Sequence, residues 1–456
     1  MSSQTPPSDP HAGDPVLDDR LMLQSGVVLR LGRLMLAAGA GSYRVKSSMA
    51  RAASAVGIDR HEATVTMTEI VTSSYVGNRF RTETTEVRRG GVNVARLERL
   101  RRIVHELRAH QRVEELNAEL DDVETMHGLY SAPVNALASG VACAGFCFLN
   151  GGGWPECLAV LIAASLGQFI RRWMLVHQYQ HFFTWLACGV ASSSVYMGSV
   201  ATLRLIGAVE GNHQGGIISA ILFLVPGFPL VTAMLDLVRQ DLSSALSRSA
   251  YVLMVMTSTG VAVWTVTHIF HWQVEAANTV ILTGPLLYAL RCLCSFVAAY
   301  GFAILFNAPP RACLYSAVIG TVANTGRLAL IDQLNVPWQL AVGLAALVVG
   351  LMAQAFVRRT SQSRVALSVP AVVIMIPGVP FYRAIAALNE HGADPTVAVD
   401  AAAGNLIEVF FVITAIGVGL ALARILTDHN WRHDISTSAG VTLPEPQERT
   451  AGNCLP

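Results

Sequence analysis

Residues 224–248 read LVPGFPLVTAMLDLVRQDLSSALSR, an apolar run that gives way to charged and polar residues. The P-G-x-P motif near its start lies inside an apolar stretch, about 216–238, that is long enough to cross a membrane. Each proline removes a backbone N–H donor and clashes with the preceding turn, so the motif predicts a helix broken into two half-helices. Broken backbone at membrane depth is tolerated only where protein or a water-filled cavity satisfies its polar groups.

The same motif recurs in a second apolar stretch. PGVP at 377–380 follows PGFP at 226–229 by 151 residues, from 226 to 377. Interrupted spans at matching positions of two halves are the best sequence indication of a transporter site. We therefore predict a substrate pathway lined by Pro226, Gly227, Pro229, Pro377, Gly378 and Pro380. Asn405 in the tenth span could add a polar side chain to this pathway, although a hydrogen bond between helices would explain it equally well.

A second pair of similar stretches supports a duplication. GFCFLNGGGWPECL at 145–158 is echoed by GFAILFNAPPRACL at 301–314, an offset of 156 from 145 to 301. Each copy would contain five spans, and an odd number forces the second copy to enter the membrane from the opposite side. The pattern therefore predicts two inverted repeats, which are typical of secondary transporters.

Ten apolar stretches approach the ~20 residues that a helix needs to cross a hydrocarbon core. They lie near residues 132–149, 154–170, 183–205, 216–238, 250–270, 283–306, 313–331, 337–357, 366–388 and 404–426. The fold class predicted is a mainly α, polytopic membrane protein with ten transmembrane helices. The two five-helix units are expected at 131–272 and 279–427.

Arginines in the loops indicate the orientation, because short cytoplasmic loops carry an excess of basic residues. With the N-terminus inside, the inside loops hold Arg171, Arg172, Arg239, Arg248, Arg311, Arg358, Arg359 and Arg364. The outer ends of the spans hold only Arg204 and Arg327, with Arg383 slightly deeper. This asymmetry predicts that both termini lie in the cytoplasm. The expected location is the bacterial inner membrane.

The chain before residue 131 has a different, charge-rich pattern. Residues 1–20 are rich in Pro, Ser and Asp and are expected to form a disordered tail. Residues 21–130 then predict a small cytosolic α+β domain. Its expected elements are helices at 21–38, 43–56 and 92–110 and strands at 62–71 and 78–87. Residues 428–456 are expected to form a flexible C-terminal tail.

Charged residues inside predicted spans are expensive to bury, at ~2.5–3.5 kcal/mol even on the mildest scale, and tend to be functional. Asp236 lies near one end of the fourth span, and Glu408 lies inside the tenth. Both are predicted proton carriers. Arg248 and Arg383 are predicted supporting charges.

Other functional classes receive little support. The formal net charge of +1, with 14% charged residues, gives no field suited to nucleic acid. His177 with His181 has helical spacing but no third ligand nearby, so no metal site is expected. The glycines at 151–153 lack the context of a nucleotide-binding loop. We expect no cofactor and no enzymatic activity.

Two stretches resemble the threonine/serine exporter family. One is LMLAAGAGSYRVKSSMARAASAVGI at 34–58, followed by threonine-rich strands and NVARLERLRRIVHEL, and the other is the stretch at 224–248. The resemblance covers about 20–426 and implies ten spans and export driven by the proton motive force. At positions that match the family's motif, the resemblance implies functional roles for Pro226, Gly227, Asp236 and Arg248. Ala245 stands where the family usually has glycine.

Three hypotheses remain open. The leading one is a secondary active antiporter that exports threonine and serine in exchange for protons, with a homo-oligomer left open. The second is an exporter of small dicarboxylates such as succinate, for which Arg291 and Arg383 could supply further positive charge. The third is a membrane-anchored sensor or interaction protein, which would need neither the duplication nor the paired broken spans.

Overall fold

The computed structural model describes residues 15–87, 90–207, 216–270, 284–360, 362–387 and 395–432. Of the predicted tails at 1–20 and 428–456, residues 1–14 and 433–456 lie outside the described residues. The junction between the two predicted five-helix units, at 273–278, also lies outside them. The first helix begins at Pro15, ahead of the predicted domain start at residue 21. Proline suits the first helical position, and Asp18 in the first turn interacts favourably with the helix dipole.

The helices and strands follow in chain order. They are α1 (Pro15–Ala37), α2 (Ser42–Val56), β1 (Arg60–Val65), β2 (Glu69–Val76), β3 (Arg79–Glu86), α3 (Val94–Glu106), α4 (Val113–Glu124), α5 (Ala132–Leu149), α6 (Trp154–Val176), α7 (His181–Leu205), α8 (Ile217–Ala220), a 3-10 helix (Leu222–Leu224), α9 (Gly227–Val238), α10 (Leu242–Ile269), α11 (Pro285–Leu305), α12 (Pro310–Leu334), α13 (Trp338–Arg359), α14 (Arg364–Val373), α15 (Gly378–Ala387), α16 (Pro395–Thr427) and α17 (His429–Arg432).

The described chain forms two compact units. The first contains 15–87, 90–91 and 99–126, and the second contains 92–98 and 127–432. The start of α3 therefore belongs to the second unit, where the Val94 N–H donates to the Phe306 carbonyl over 2.9 Å. The prediction placed all of 21–130 in one domain and so did not separate residues 92–98. The amphipathic pattern of α3 is continuous, so the sequence gives no sign that its first residues pack in a different unit.

The first unit contains an antiparallel sheet in the order β1-β2-β3. The predicted strand at 62–71 is wrong as a single strand, because the chain reverses after Val65. There the Glu69 N–H donates to the Thr66 hydroxyl over 3.1 Å, and Val65 pairs with Ile70. The side chain of His61, on β1, is buried, and its Nδ1 lies 3.0 Å from the Ser74 hydroxyl on β2. Burial lowers the pKa of His61 to about 4.

The second unit is a multi-pass helical bundle, which confirms the mainly helical membrane architecture. Among the described residues, eight helices are long and apolar enough to cross a membrane, namely α5, α6, α7, α10, α11, α12, α13 and α16. The pair α14–α15, bent by 44°, is a ninth candidate. The fourth predicted segment consists of α8, the 3-10 helix and the 12-residue α9. The number ten remains a prediction, because that segment contains no continuous helix of spanning length.

The two halves of this unit share local geometry at the predicted offset of 156. α5 and α11 end at residues 149 and 305, and α6 and α12 begin at residues 154 and 310. Each connecting turn passes through one residue in the left-handed region, Gly151 with φ 87° and Asn307 with φ 55°. Glycine and asparagine are the residues that adopt this conformation most readily.

α5 and α11 pack directly on each other through equivalent glycines. A Cβ atom at Gly145 would lie 3.5 Å from the Ala298 Cβ, and one at Gly301 would lie 2.8 Å from the Ala142 Cβ. Gly145 and Gly301 are 156 residues apart, as are Ala142 and Ala298. The contacts run in opposite directions along the two helices, so α5 and α11 are antiparallel and exchange equivalent contacts. Small residues permit this close approach of two membrane helices.

Replacing Gly301 by alanine tests this contact. The new Cβ would lie 2.6 Å from the Ala138 carbonyl oxygen, which is backbone and can move only with its helix. We expect Gly301→Ala to lower the free energy of unfolding by about 1–3 kcal/mol, measured by thermal unfolding of the purified full-length protein in detergent. The control is Gly326→Ala in α12, where a Cβ would have no atom within 4 Å, so the change should be neutral or stabilising by up to about 1 kcal/mol. Equal stability of the two variants would contradict the close packing.

Candidate functional site

Both P-G-x-P motifs interrupt a helix at their first proline. Pro226 has φ −80° and ψ 62°, the geometry of an inverse γ-turn, and the Gly227 N–H donates to the Val225 carbonyl over 2.8 Å. At the second motif the Gly378 N–H donates to the Ile376 carbonyl over the same distance. The predicted breaks are therefore present, with the same turn in each half.

The second proline of each motif does not contribute to the break. Pro229 and Pro380 lie in the first turns of α9 and α15, where a missing N–H removes no helical hydrogen bond. The prediction that the two prolines break the helix together is wrong in this respect. The first proline ends one helical segment, and the second is compatible with the start of the next.

The segments that precede the two breaks lie at the centre of the unit. Residues 217–224 and 365–373 are buried throughout. A Cβ at Gly227 would lie 2.8 Å from Val373, and one at Gly378 would lie 3.3 Å from Leu222. Both the glycines and their partners are 151 residues apart, so the two breaks pack against each other through equivalent contacts.

Neighbouring helices repeat this exchange. The glycine Gly260 on α10 contacts Ile385 on α15, and Gly417 on α16 contacts Met234 on α9, where a Cβ at Gly417 would lie 3.0 Å from the Met234 Cβ. Met234 and Ile385 are again 151 residues apart. Each broken helix is therefore covered by a long helix from the other half.

Asp236 and Arg248, which the sequence singled out, form a buried ion pair between α9 and α10. Arg248 Nε lies 3.1 Å from Asp236 Oδ2, and both residues are 3% exposed. The Ser244 hydroxyl donates to the same carboxylate oxygen over 2.9 Å, and Arg248 Nη1 donates to the Thr232 hydroxyl over 3.4 Å. Removing one member of such a pair leaves an uncompensated buried charge. Protonation of Asp236 would therefore leave the buried Arg248 guanidinium without a counter-charge.

The other predicted site residues lie outside this network. Glu408 is half-buried on α16 and makes no hydrogen bond or ion pair with the residues that the structure describes. Asn405 donates its amide to the Ala401 carbonyl, one turn earlier on the same helix, over 2.8 Å. Arg383 is exposed on α15. Arg291, considered above as a cation for dicarboxylates, is paired with Asp332, so its charge is already compensated.

The structure adds two side chains that were not predicted as site residues. Arg171 Nη1 donates to the Phe223 carbonyl over 2.7 Å, and the Trp185 indole donates to the Leu224 carbonyl over 3.0 Å. These carbonyls immediately precede the first break and have lost their partners in a continuous helix. Arg171 was assigned to an inside loop, because the predicted span ended at residue 170, whereas α6 continues to Val176.

Comparison with known proteins agrees with this architecture. The family model described as "Putative threonine/serine exporter" matches residues 26–270, and the one described as "Threonine/Serine exporter, ThrE" matches residues 291–426. The class of protein is thus a multi-pass membrane transporter rather than an enzyme. The chain belongs to the threonine/serine exporter family and carries both of its parts in one polypeptide.

Several relatives are similar to part of the chain. The Escherichia coli (strain K12) protein named "Probable succinate transporter subunit YjjP" is 25% identical over 239 residues, which are 52% of this chain and 90% of the relative. The Klebsiella aerogenes protein of the same name is 25% identical over 233 residues, 50% of this chain and 87% of the relative. A Haemophilus influenzae protein named "Uncharacterized protein" is 29% identical over 152 residues, 32% of this chain and 51% of the relative. No solved structure matches the chain.

The Asp236–Arg248 pair can be tested by a double-mutant cycle. Arg248→Gln should lower the free energy of unfolding by about 3–5 kcal/mol, because it leaves the Asp236 carboxylate buried without a counter-charge. Adding Asp236→Asn should recover much of this loss, so the two effects should be strongly non-additive in thermal unfolding of the full-length protein. The control is Arg112→Gln in the exposed pair with Glu115, where the change should be under about 1 kcal/mol. Additive effects at Asp236 and Arg248 would show that the pair does not stabilise the fold.

Proposed function

We propose that this protein is a secondary active transporter that exports threonine and serine across the bacterial inner membrane in exchange for protons. The observation that carries the proposal is the packing of two equivalent helix breaks against each other at the centre of the membrane unit. Paired discontinuous helices at a repeat interface are where secondary transporters bind substrate and coupling ion. An anchor for a sensor domain would not require such a centre.

Inverted repeats are part of this proposal. The antiparallel pairing of α5 and α11, with exchange of equivalent contacts, is the arrangement expected when two halves enter a membrane from opposite sides. Such halves can rock against each other, so that the centre opens first to one side and then to the other. With ten spans in all, both termini would lie in the cytoplasm.

The proposed substrate pathway passes the two breaks. The first turns of α9 and α15 have backbone N–H groups without intrahelical acceptors, and the positive end of the helix dipole favours a substrate carboxylate. Pro226, Gly227, Pro229, Pro377, Gly378 and Pro380 shape this region, and Asn405 on α16 is the proposed polar contributor from the long helix that covers α15.

Succinate or a similar small dicarboxylate is the second candidate substrate. It is favoured by the printed name of the Escherichia coli and Klebsiella aerogenes relatives, which are named as subunits of a succinate transporter. Threonine, serine and succinate all carry a carboxylate, so the same half-helix ends could serve each of them. A second copy of this chain remains open as a partner.

Transport by the full-length protein in reconstituted vesicles tests the proposal. We expect labelled threonine and serine to be exported from vesicles when a pH gradient is imposed, because proton entry would drive the opposite movement of substrate. A vesicle population without protein is the control for leakage. Gradient-driven movement of succinate without threonine or serine would select the second candidate, and movement of none of the three would reject both.

Proton coupling is tested on the two candidate acids. Glu408→Gln should abolish uphill transport driven by a pH gradient and retain substrate counterflow, because exchange does not require an empty carrier to load and release a proton. A smaller loss is expected for Asp236→Asn, since protonation there would leave the buried Arg248 without a counter-charge and is therefore unfavourable. Exposed Glu114 in the first unit provides the control, Glu114→Gln. Normal gradient-driven transport in both variants would contradict these assignments and direct attention to Asp241 or Asp400.

A further inference from the structure

Arg171 lies beside the first helix break in an aromatic setting. Its guanidinium carbon is 5.4 Å from the ring centre of Trp185 and 5.8 Å from that of Phe223. One nitrogen, Nη1, donates to the Phe223 carbonyl. Nε is buried and has no hydrogen-bond partner, and Nη2 makes no hydrogen bond with the described residues. One edge of the guanidinium group is therefore unused.

The positive charge of Arg171 is not balanced by a carboxylate within the described part of the chain. The ionisable groups that interact with it among the described residues are Cys143, Cys188, Tyr251 and His181, none of which is an anion at neutral pH. Arg248 in the same unit is paired with Asp236 through its Nε atom. An arginine that is enclosed by apolar and aromatic side chains on a candidate membrane helix and has no counter-charge is expensive, which favours compensation by an anion for part of the transport cycle.

An imidazole and a hydroxyl belong to the same cluster, because His181 packs on the Trp185 ring that Arg171 also faces. His181 Nε2 is 2.7 Å from the Tyr251 hydroxyl, and the His181 ring centre is 4.0 Å from that of Trp185. A single cluster is thus formed by side chains from four elements, namely Arg171 from α6, His181 and Trp185 from α7, Phe223 from the 3-10 helix and Tyr251 from α10. Its composition, one cation with aromatic walls and two further polar groups, suits a small ligand that has a carboxylate and other polar groups.

We propose that Arg171 binds the carboxylate of the transported substrate at this cluster, through the edge formed by Nε and Nη2. A guanidinium group holds a carboxylate by two parallel hydrogen bonds, and this geometry uses the edge that is unoccupied by protein. The His181–Tyr251 pair would contact the rest of the ligand. This proposal rests on the transport function proposed above and deepens it by assigning one residue to the group that threonine, serine and succinate share.

A purely structural role is the alternative, because Arg171 also satisfies the Phe223 carbonyl. The two roles differ in what the substitution changes. If Arg171 only stabilises the Phe223 carbonyl, its loss would lower the thermal stability of the unliganded protein and leave the affinity for a carboxylate unchanged. Loss of a carboxylate anchor would raise the dissociation constant of compounds that have a carboxylate and would not raise that of analogues that lack it.

The experiment measures ligand-dependent thermal stabilisation of the purified full-length protein. The ligands are L-threonine, L-serine and succinate, each compared with an analogue in which alcohol or amide replaces carboxylate, namely L-threoninol, serinol and succinamide. We expect at least one carboxylate to stabilise the unsubstituted protein more than its analogue does. In Arg171→Gln its dissociation constant should rise about 10- to 100-fold, the effect of losing a charged hydrogen-bonding partner.

Two further variants make the comparison specific. Arg171→Lys keeps a charge and a donor for the Phe223 carbonyl but lacks the two-pronged edge, so we expect a smaller rise in the dissociation constant. It also provides a test if the glutamine variant does not fold. The control is Arg172→Gln, because the neighbouring Arg172 donates to the Tyr130 and Ser131 carbonyls and should leave carboxylate binding unchanged.

The possible failures are distinguishable. Unchanged carboxylate affinity in Arg171→Gln or, if that variant does not fold, in Arg171→Lys would overturn the proposal, as would the absence of any preference for carboxylates in the unsubstituted protein. Normal export in that case would leave the transport function standing. Carboxylate binding that depends on Arg171 in a protein that exports none of the three substrates would support the site and reject the proposed function.

Discussion

The need to satisfy backbone hydrogen-bonding groups away from water governs the membrane unit of this protein. Each P-G-x-P motif interrupts a buried helix, so that the Phe223 and Leu224 carbonyls lose the partners that a continuous helix would provide. At the first break these carbonyls accept hydrogen bonds from Arg171 and from the Trp185 indole. Because lipid cannot supply such donors, the breaks are compatible only with the protein interior, and they lie at its centre.

Close packing of the two halves follows from glycine at equivalent positions. The α5–α11 contact, the contact between the two breaks and the contacts of the long helices α10 and α16 each occur twice, with partners exchanged between the halves. Glycine at these positions permits the close approach of the two halves through mostly apolar contacts. This is a suitable interface for halves that are proposed to move relative to each other.

The charged groups of the membrane unit differ in how they are compensated. Asp236 and Arg248 neutralise each other in a buried pair, and Arg291 is paired with Asp332. Glu408 and Arg171 have no ion-pair partner among the described residues. In a low-dielectric interior an uncompensated charge is a more informative functional indicator than a paired one, because its counter-charge must come from a proton or a ligand.

Much of this architecture was determined by local sequence properties. Apolar length located the long helices, proline chemistry located both breaks, and the offsets of 156 and 151 indicated the duplication. Other features depend on residues that are far apart in the chain. Only the tertiary structure showed that Gly227 meets Val373, that Asp236 is neutralised by Arg248, and that Arg171 reaches the Phe223 carbonyl. Composition and spacing predict where a helix lies and where it breaks, whereas packing decides which side chains meet and therefore which charges remain uncompensated.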